Sequence, residues 1–543
     1  MRRSRKSVAR GRVPLALLGC LLGLALATAA AAPRGEGLPA VAFWYGHDPP
    51  LDELALYDWV VLEPEHLPDG PPGRLTAAGV LPFAYVSVGE VGRHRSWAGE
   101  VDPAWVLGRN RAWDSRVMDL ASPGWRAFLL ERRFAPLWER GWRAFFLDTL
   151  DSYQGVLPGG RWPAQVEGLA ELIGTLRARF PGVRLLLNRG FELLPRLEAE
   201  GAGAVVGVAA ESLQAGWDPA TGRYAPVPEA ERGWLLERLE RVRRLGLTGV
   251  AIDYLPPGRR EEARRVARRI AAQGLVPWVA DPALLTLGVG LLEVVPRKVL
   301  VLYDAPPERL PYVEAHRLLG LPLEHLGLVP VYRSVTEGLP KGPLAGRYAG
   351  VVAWFQRPLR RPGPFQRWLE ERLEERVPVV FFARLGFRPG PRLLERLGVA
   401  LEERLPGPGL RILRQAPGMG FDARPVPRPD LGPYRADSPE VEPWLRLGDR
   451  DGGVWDPVAV APWGGWALDP TCWLPTAPWG IPRRPWSAGC PIPSPSSGPP
   501  CTCPPCRCRT SPPRTAAGCS RCTSTATAST TVPNSPAIPT RPR

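Results

Sequence analysis

The stretch Arg143–Gly155, RAFFLDTLDSYQG, carries the clearest structural signal in the chain. Apolar residues follow one another from Ala144 to Leu147 without the polar alternation of a half-exposed strand, which is typical of a strand covered on both faces. Asp148 and Asp151 come directly after this run. Because an unpaired carboxylate is costly inside an apolar core, we expect this strand to end at a polar site.

The same pattern recurs along the first half of the chain. Each apolar run is followed by a polar residue and then by a helical stretch, and such a stretch ends at turn residues, as at Pro181 and Gly182. Buried strands that alternate with amphipathic helices indicate an α/β fold with parallel pairing, and eight such units predict a (β/α)8 TIM barrel over residues 38–290. The eight runs are Ala40–Gly46, Tyr57–Glu65, Leu81–Glu90, Ala144–Asp148, Val183–Gly190, Ala204–Ser212, Gly249–Tyr254 and Leu275–Asp281.

Active sites of this barrel lie at the carboxyl ends of the strands, so polar residues at those ends are the candidates for chemistry. A rim of carboxylates and aromatic rings suits a polysaccharide, because sugar rings stack on aromatic faces and glycosidic cleavage needs two positioned acids. The predicted catalytic residues are Asp148 and Glu211. The predicted substrate-binding residues are Tyr45, Glu63, Tyr85, Asp151, Tyr153, Asn188 and Asp253, and the wider rim adds Trp44, Tyr254 and Trp278.

A structural role competes with the catalytic one at each of these acids. An aspartate at a strand end is more commonly a helix cap or a loop anchor, an interpretation that applies to Asp151 and to Asp281. Asp148 and Glu211 differ because each directly follows a run too apolar to tolerate an unpaired charge. Burial of that kind shifts pKa values in the direction that acid–base chemistry uses.

The two ends of the chain carry most of its charge. Of a formal net charge of +15, six basic residues precede Pro33 and eight arginines follow Asp469, with no acid in either segment. The middle is nearly neutral, which argues against a nucleic-acid partner. A basic start, an apolar run and Ala-x-Ala before Pro33 predict a signal peptide over residues 1–32 and a secreted or periplasmic protein without a stable membrane span after cleavage. An uncleaved membrane anchor is the alternative.

Residues 472–543 are rich in Pro, Ser, Thr and Cys and hold every cysteine except Cys20. Because this tail has almost no large apolar side chain from Cys490 onward, we expect it to be disordered; a zinc module is the weaker alternative. Under a choice of GC-rich codons, a one-nucleotide shift turns residues 506–529 into a loop followed by a strand that ends in acids. We therefore interpret the tail as a frameshift product that has lost a downstream domain.

A second strand–helix alternation over residues 296–415 predicts a small flavodoxin-like α/β domain. It has no glycine-rich phosphate-binding fingerprint, so no cofactor is expected. Residues 420–471 are interpreted as a short β-rich segment.

The motifs FWYG, YDWVVLEP, AYVSVGE, FFLDTLDSY, LLNRGFE, AAESL and AIDYL occur in this order between Ala40 and Pro282. Together they resemble the endo-α-1,4-polygalactosaminidase family of glycoside hydrolases, known as family 114. The resemblance implies a (β/α)8 barrel that cleaves partially deacetylated α-1,4-linked galactosamine polymers. It also implies that Asp148 is the nucleophile or the water-activating group, and that Glu211 donates the proton.

In longer relatives of that family the barrel precedes a polysaccharide deacetylase, which needs a histidine pair on a metal. The five histidines here include no pair that is close in sequence, so neither deacetylation nor a metal site is expected. The expected partners are a cationic amino-sugar polymer and the exopolysaccharide secretion machinery. The alternative function is a non-catalytic barrel that binds exopolysaccharide during its assembly or export, and possession of both Asp148 and Glu211 favours the enzyme.

Overall fold

The computed structural model describes residues 37–417, 419, 425–428 and 432–468. The predicted signal peptide and the predicted tail, with the frameshift, lie outside the described residues. The first part of the described chain is the predicted barrel. Its eight strands are β1 (Val41–Trp44), β2 (Trp59–Leu62), β3 (Leu81–Ser87), β4 (Ala144–Asp148), β5 (Arg184–Asn188), β6 (Val205–Glu211), β7 (Thr248–Tyr254) and β8 (Val276–Ala280).

All eight strands pair in parallel in chain order, from β1 to β8, and the short segment Val289–Gly290 adds an antiparallel edge to β8. The two ends of this order meet, because the ring of Phe43 on β1 lies 6.4 Å from that of Trp278 on β8. The (β/α)8 prediction is therefore confirmed, and each predicted apolar run contains one strand.

Helices cover the outside of the strands. In the helix Trp162–Arg179 the buried residues include Leu169, Leu172 and Leu176, at the spacing that places them on one face. This helix ends before Gly182, whose φ of 76° reverses the chain into β5. The barrel helices are α1 (Leu51–Leu54), α2 (Gly73–Ala77), α3 (Pro123–Leu129), α4 (Ala135–Glu139), α5 (Trp162–Arg179), α6 (Leu194–Glu200), α7 (Glu229–Arg244) and α8 (Arg260–Ala272), and a π-helical turn, Leu130–Phe134, joins α3 to α4.

Two insertions enlarge the mouth at the carboxyl ends of the strands. A three-stranded antiparallel sheet follows β3, and its strands are Glu90–Gly92, Val106–Asn110 and Ser115–Met118. Glu90 is buried there and accepts hydrogen bonds from Asn110 Nδ2 (3.0 Å) and Ser115 Oγ, so it holds this sheet together. A β-hairpin follows β6, with strands Ala215–Asp218 and Arg223–Pro226.

The remaining described residues contain a second, eight-stranded sheet. Its strands are β9 (Lys298–Tyr303), β10 (Val329–Ser334), β11 (Gly350–Trp354), β12 (Val379–Ala383), β13 (Arg411–Gln415), β14 (Glu442–Gly448), β15 (Val454–Ala461) and β16 (Gly464–Leu468), and the helices are α9 (Gly320–His325), α10 (Pro362–Glu374) and α11 (Pro391–Leu397). Four parallel strands have the order β10-β9-β11-β12, and β16 adds a fifth parallel strand beside β12, followed by antiparallel β15, β14 and β13. The short strands Val399–Leu401 and Tyr434–Ala436 form a separate antiparallel pair.

This sheet joins residues that the sequence pattern placed in two segments, 296–415 and 420–471. The reason is the pairing of β16 with β12, in which Phe381 lies opposite Trp466 across the parallel ladder. The flavodoxin-like assignment stays a prediction. Across the described part of the chain, no helix combines the length and the apolar character that a membrane crossing needs.

Candidate active site

Asp148 ends β4 and points its carboxylate into a set of hydrogen-bond donors. Tyr85 donates its hydroxyl to Oδ2 at 2.7 Å, and Asn188 donates Nδ2–H to Oδ1 at 2.7 Å. The backbone N–H of Thr149 also donates to Oδ1, at 2.8 Å. Three strand ends, those of β3, β4 and β5, therefore position this carboxylate, as parallel pairing at one end of a barrel predicts.

Glu211 ends β6 and lies on the other side of Asn188. Its Oε1 accepts a hydrogen bond from the same Asn188 Nδ2 at 2.8 Å, and its Oε2 accepts one from the Tyr254 hydroxyl at 2.7 Å. Since Oδ1 of Asp148 and Oε1 of Glu211 both bind one nitrogen, these two oxygens are less than about 5.5 Å apart. This proximity favours the short carboxyl separation of a retaining glycosidase over the wider one of an inverting enzyme.

The closeness of the two carboxyl groups affects their protonation. Burial first, and the charge of Glu211 second, raise the pKa of Asp148 to about 6, while the hydrogen bonds from Tyr85, Asn188 and Thr149 oppose the shift. Asp148 is therefore easier to protonate than an isolated aspartate. A pair with one proton and one charge is the arrangement that glycosidic cleavage requires.

The backbone next to Asp148 has a strained conformation that a neighbouring glycine permits. Thr149 has a left-handed φ of 63°, which costs free energy for a β-branched residue. Its hydroxyl accepts a hydrogen bond from Gly89 N at 2.9 Å and contacts Ser87 Oγ at 2.9 Å. A Cβ at Gly89 would lie 2.0 Å from the Thr149 carbonyl oxygen, so only glycine allows this approach.

Tyr45 and Tyr85 line the same site from β1 and β3, with ring centroids 5.0 Å apart. Burial raises the pKa of Tyr45 well above its ordinary value, and the charges of Tyr85, Asp148 and Glu211 add to the shift. The local potential is therefore negative, and the Tyr45 hydroxyl stays protonated at neutral pH.

Glu63, at the end of β2, is engaged by an arginine. Its Oε2 lies 2.8 Å from Arg95 Nη2, and its Oε1 accepts a hydrogen bond from Glu65 N at 3.2 Å. The Arg95 guanidinium lies 5.6 Å from the centroid of the Tyr85 ring. Glu63 thus holds Arg95 against Tyr85, the residue that donates a hydrogen bond to Asp148. These contacts indicate that Glu63 positions Arg95, and its predicted contact with a sugar stays a prediction.

Asp253 does not fit the predicted contact with substrate. It is fully buried on β7, and its oxygens accept hydrogen bonds from the backbone N–H groups of Leu213 (2.7 Å), Gln214 (2.8 Å) and Ala215 (2.8 Å). Burial raises its pKa to about 6, against the effect of those three bonds. Asp253 anchors the segment that directly follows Glu211, which is why an acid is needed there.

The structure also corrects the substrate-binding role predicted for Tyr153. Its side chain is 2% exposed and packs edge-on against Trp162, with centroids 6.3 Å apart, so its ring has no face for a sugar. Trp44 and Trp278, which the sequence placed on the rim, are likewise buried in the barrel core. Alternation along short strands and turns does not distinguish a rim aromatic from a core one.

Asp151 and Asp281 have different surroundings: Asp281 is buried and bonded to the backbone, whereas Asp151 is partly exposed. Asp281 is buried and accepts hydrogen bonds from the backbone N–H of Thr286 (2.8 Å) and from that of Leu285, which confirms its structural role. The Asp151 side chain is 30% exposed, and its nearest cation is Arg189, 3.8 Å away. Burial is the main cause of its raised pKa. Its contact with substrate stays a prediction.

Two supporting residues, Thr149 and Arg95, were absent from the predicted site, and no local pattern marks them. Tyr254 was predicted only as an aromatic residue of the rim, and the structure shows that it donates a hydrogen bond to Glu211. The structure also brings together His47 and His66, with ring centroids 3.6 Å apart. Within the described ranges no group of three or more His, Cys, Asp or Glu side chains could hold a metal ion.

A (β/α)8 barrel with two hydrogen-bonded carboxylates at the carboxyl ends of β4 and β6 defines a glycoside hydrolase. The chain belongs to the glycoside-hydrolase family GH114, whose model matches residues 27–299, half of the chain. The family suggested by the sequence motifs is therefore confirmed, as is the enzyme class.

The solved structures that resemble this chain include those of PelA and Ega3. The glycoside hydrolase domain of PelA from Pseudomonas aeruginosa is 48% identical, covering 46% of this chain and 98% of that one, with a TM-score of 0.43. Ega3 of Aspergillus fumigatus, crystallised in complex with galactosamine, is 11% identical, covering 47% of this chain and 97% of that one, with a TM-score of 0.34. None of the curated proteins matches this chain.

Proposed function

We propose that the protein is a secreted endo-glycosidase that hydrolyses α-1,4-linked galactosamine and N-acetylgalactosamine exopolysaccharide. The observation that carries this proposal is the shared hydrogen bond: one Asn188 amide nitrogen holds both Asp148 and Glu211. A binding protein would need neither group as an acid, whereas glycosidic cleavage needs one ionised and one protonated carboxyl group at the same bond.

In the proposed first step, Asp148 attacks the anomeric carbon while Glu211 gives its proton to the departing glycosidic oxygen. The C–O bond to the leaving sugar breaks, and a glycosyl ester forms on Asp148. In the second step, Glu211 takes a proton from water, the water oxygen bonds to the anomeric carbon, and the ester bond breaks. Two inversions leave the product with the configuration of the substrate.

The hydrogen bonds support this division of roles. Asp148 accepts three, from Tyr85, Asn188 and Thr149, and such bonds stabilise the ionised form that a nucleophile needs. Glu211 accepts two, from Asn188 and Tyr254. These bonds oppose the effect of burial on Asp148, so we assign Asp148 as the nucleophile and Glu211 as the proton donor in this proposal.

The charge of the mouth supports an amino-sugar substrate. Asp148, Glu211 and Asp151 lie on one side of it, and Arg189 is the cation nearest to Asp151. The acids at the end of β2 are instead neutralised by Arg95. A polymer with free amino groups would therefore meet a net negative surface around the cleaved bond, which favours its binding and its approach. Export, and contact with an exopolysaccharide secretion machinery, follow from the predicted signal peptide and belong to the same proposal.

Digestion of a partially deacetylated α-1,4-galactosamine polymer tests this function. Wild-type enzyme should release fragments of intermediate length at early time, as internal cleavage requires, and the Asp148→Asn variant should release none above background. Mass spectrometry of the products checks both. Wild-type protein that binds the polymer without shortening it would contradict the proposal and support the binding barrel.

A further inference from the structure

Two tryptophans from different loops meet at the barrel mouth. Trp113 lies in the turn between Val106–Asn110 and Ser115–Met118, in the insertion after β3, and Trp217 lies in the hairpin after β6. Their ring centroids are 6.0 Å apart at an angle of 46°. In the barrel order β4 and β5 separate β3 from β6, so this contact joins loops on either side of the strand ends that carry Asp148 and Asn188.

The insertion after β3 reaches this position by crossing the loop after β4. A Cβ built on Gly108, in the middle of Val106–Asn110, would lie 3.0 Å from Val156 Cγ1 in that loop. The path from β3 to Trp217 therefore runs above the end of β4. The tryptophan pair therefore lies on loops that follow the carboxyl ends of the strands, the same end of the barrel as Asp148 and Glu211.

The exposure of the pair points to a ligand. Trp217 is half-buried against the barrel core, whereas Trp113 is 57% exposed, the most exposed of the described tryptophans. If the contact served only to join two loops, burial of both rings would give the largest gain in stability. Trp125 and Trp142 are fully buried in this way. Here a large apolar face stays open to solvent at the mouth of a carbohydrate enzyme.

Both loops are held in place by their own polar contacts. Asp114 pairs with Arg109 and lies 3.6 Å from Arg93. Asp218 accepts hydrogen bonds from Ala220 N (2.9 Å) and Thr221 Oγ1 (2.6 Å), which closes the hairpin turn. The indoles are therefore positioned before any ligand arrives, and little conformational entropy is lost when a ring stacks on them.

We propose that Trp113 and Trp217 form a sugar-binding platform that stacks one pyranose ring of the polymer beyond the bond that is cleaved. This inference rests on the proposed function, because it takes the same polymer as ligand. An indole binds the C–H face of a sugar by dispersion and attracts a protonated amino group through its π-electrons. The platform would thus add affinity for long chains without touching the reacting bond.

The test compares Trp113→Ala with Trp234→Ala on polymer and on the shortest oligomer that wild-type enzyme cleaves. Trp234 is the control, because it is also an exposed tryptophan (44%), lies on α7, and has ring contacts with Phe191 and Arg238 instead of Trp113 or Trp217. Trp113→Ala should raise KM for polymer about three- to tenfold, the range of one aromatic stacking contact, with little change in kcat. It should leave kcat/KM for the oligomer unchanged, and Trp113→Phe should recover part of the loss.

Equal losses on both substrates together with a lower Tm would identify a structural tie between loops and overturn the platform. An unchanged KM for polymer would also overturn it. If wild-type enzyme cleaves no polymer, the proposed function fails. The sugar-binding platform is then tested separately, by measuring polymer affinity with calorimetry. Weaker binding by Trp113→Ala but not by Trp234→Ala then supports it, and equal binding by all three proteins rejects it.

Discussion

The acids at the ends of β4 and β6 differ from those at the ends of β7 and β8, although all four follow apolar runs. Asp148 and Glu211 accept most of their hydrogen bonds from side chains that also line the site, Tyr85, Asn188 and Tyr254. Asp253 accepts all of its bonds from backbone N–H groups of one loop. The donors to Asp253 come from one loop and hold that loop in place, whereas the side-chain donors to Asp148 and Glu211 come from the ends of β3, β5 and β7.

The largest expected effect follows from removing either acid of the β4–β6 pair. Asp148→Asn and Glu211→Gln keep the shape of the side chain and lose its acid–base capacity, so each should lower kcat by at least about 100-fold. The Tm should stay nearly unchanged, because the buried repulsion between the two groups is also removed. Asp151→Asn is the control and should raise KM more than it lowers kcat. Near-wild-type turnover by either variant would contradict the assigned roles.

Substitution of Asp253, on β7, should mainly reduce stability. In Asp253→Asn an amide NH₂ must face at least one of the three backbone donors, which leaves a buried N–H unpaired and should reduce the free energy of unfolding by about 1–3 kcal/mol. Thermal denaturation beside Asp148→Asn checks this. Loss of activity with an unchanged Tm would return Asp253 to the substrate-binding role that the sequence suggested.

Neighbours of Asp148 should move the acid limb of the pH profile in opposite directions. Asp148 must be ionised to attack, so kcat/KM should fall as the pH drops through about 6, the value to which burial and Glu211 raise its pKa. Tyr85→Phe removes a hydrogen bond that lowers this pKa, and should shift the limb to higher pH. Glu211→Gln removes a charge that raises it, and should shift the limb of the residual activity to lower pH. Shifts in the same direction would contradict the coupling.

The smallest effect is expected at Tyr153. Because its ring is buried against Trp162 rather than exposed at the mouth, Tyr153→Phe should change both kcat and KM by less than about twofold. Steady-state kinetics on the polymer measure this. A large rise in KM would show that the hydroxyl reaches the substrate after all.

The barrel could be predicted from the sequence because its evidence is local. A run such as Ala144–Leu147 is apolar on both faces, and repetition of that pattern eight times limits the fold to few alternatives. The proposed catalytic pair was predicted by the same rule, since each acid ends such a run. Strand order in the second sheet could not be predicted in this way, because nothing near Gly464–Leu468 indicates that it pairs with Val379–Ala383.

The roles of individual rim residues depend on loops that the sequence pattern does not position. Asp253 is structural because residues 213–215 turn their N–H groups toward it, and that turn has no recognisable signature. Arg95 enters the site from the insertion after β3, far from Glu63 in sequence. Local patterns therefore identify which strand ends face the mouth, while tertiary packing decides which acids stay available for chemistry.

The most direct test of the Asp148–Glu211 pair is the anomeric form of the first product. Proton NMR at early time, during cleavage of a defined α-1,4-galactosamine oligomer, reads this form before mutarotation. Two carboxyl groups joined through Asn188 predict a retaining reaction, so the α-anomer should appear first and the β-anomer should grow in more slowly. Initial release of the β-anomer would show that water attacks directly, and would contradict Asp148 as the nucleophile.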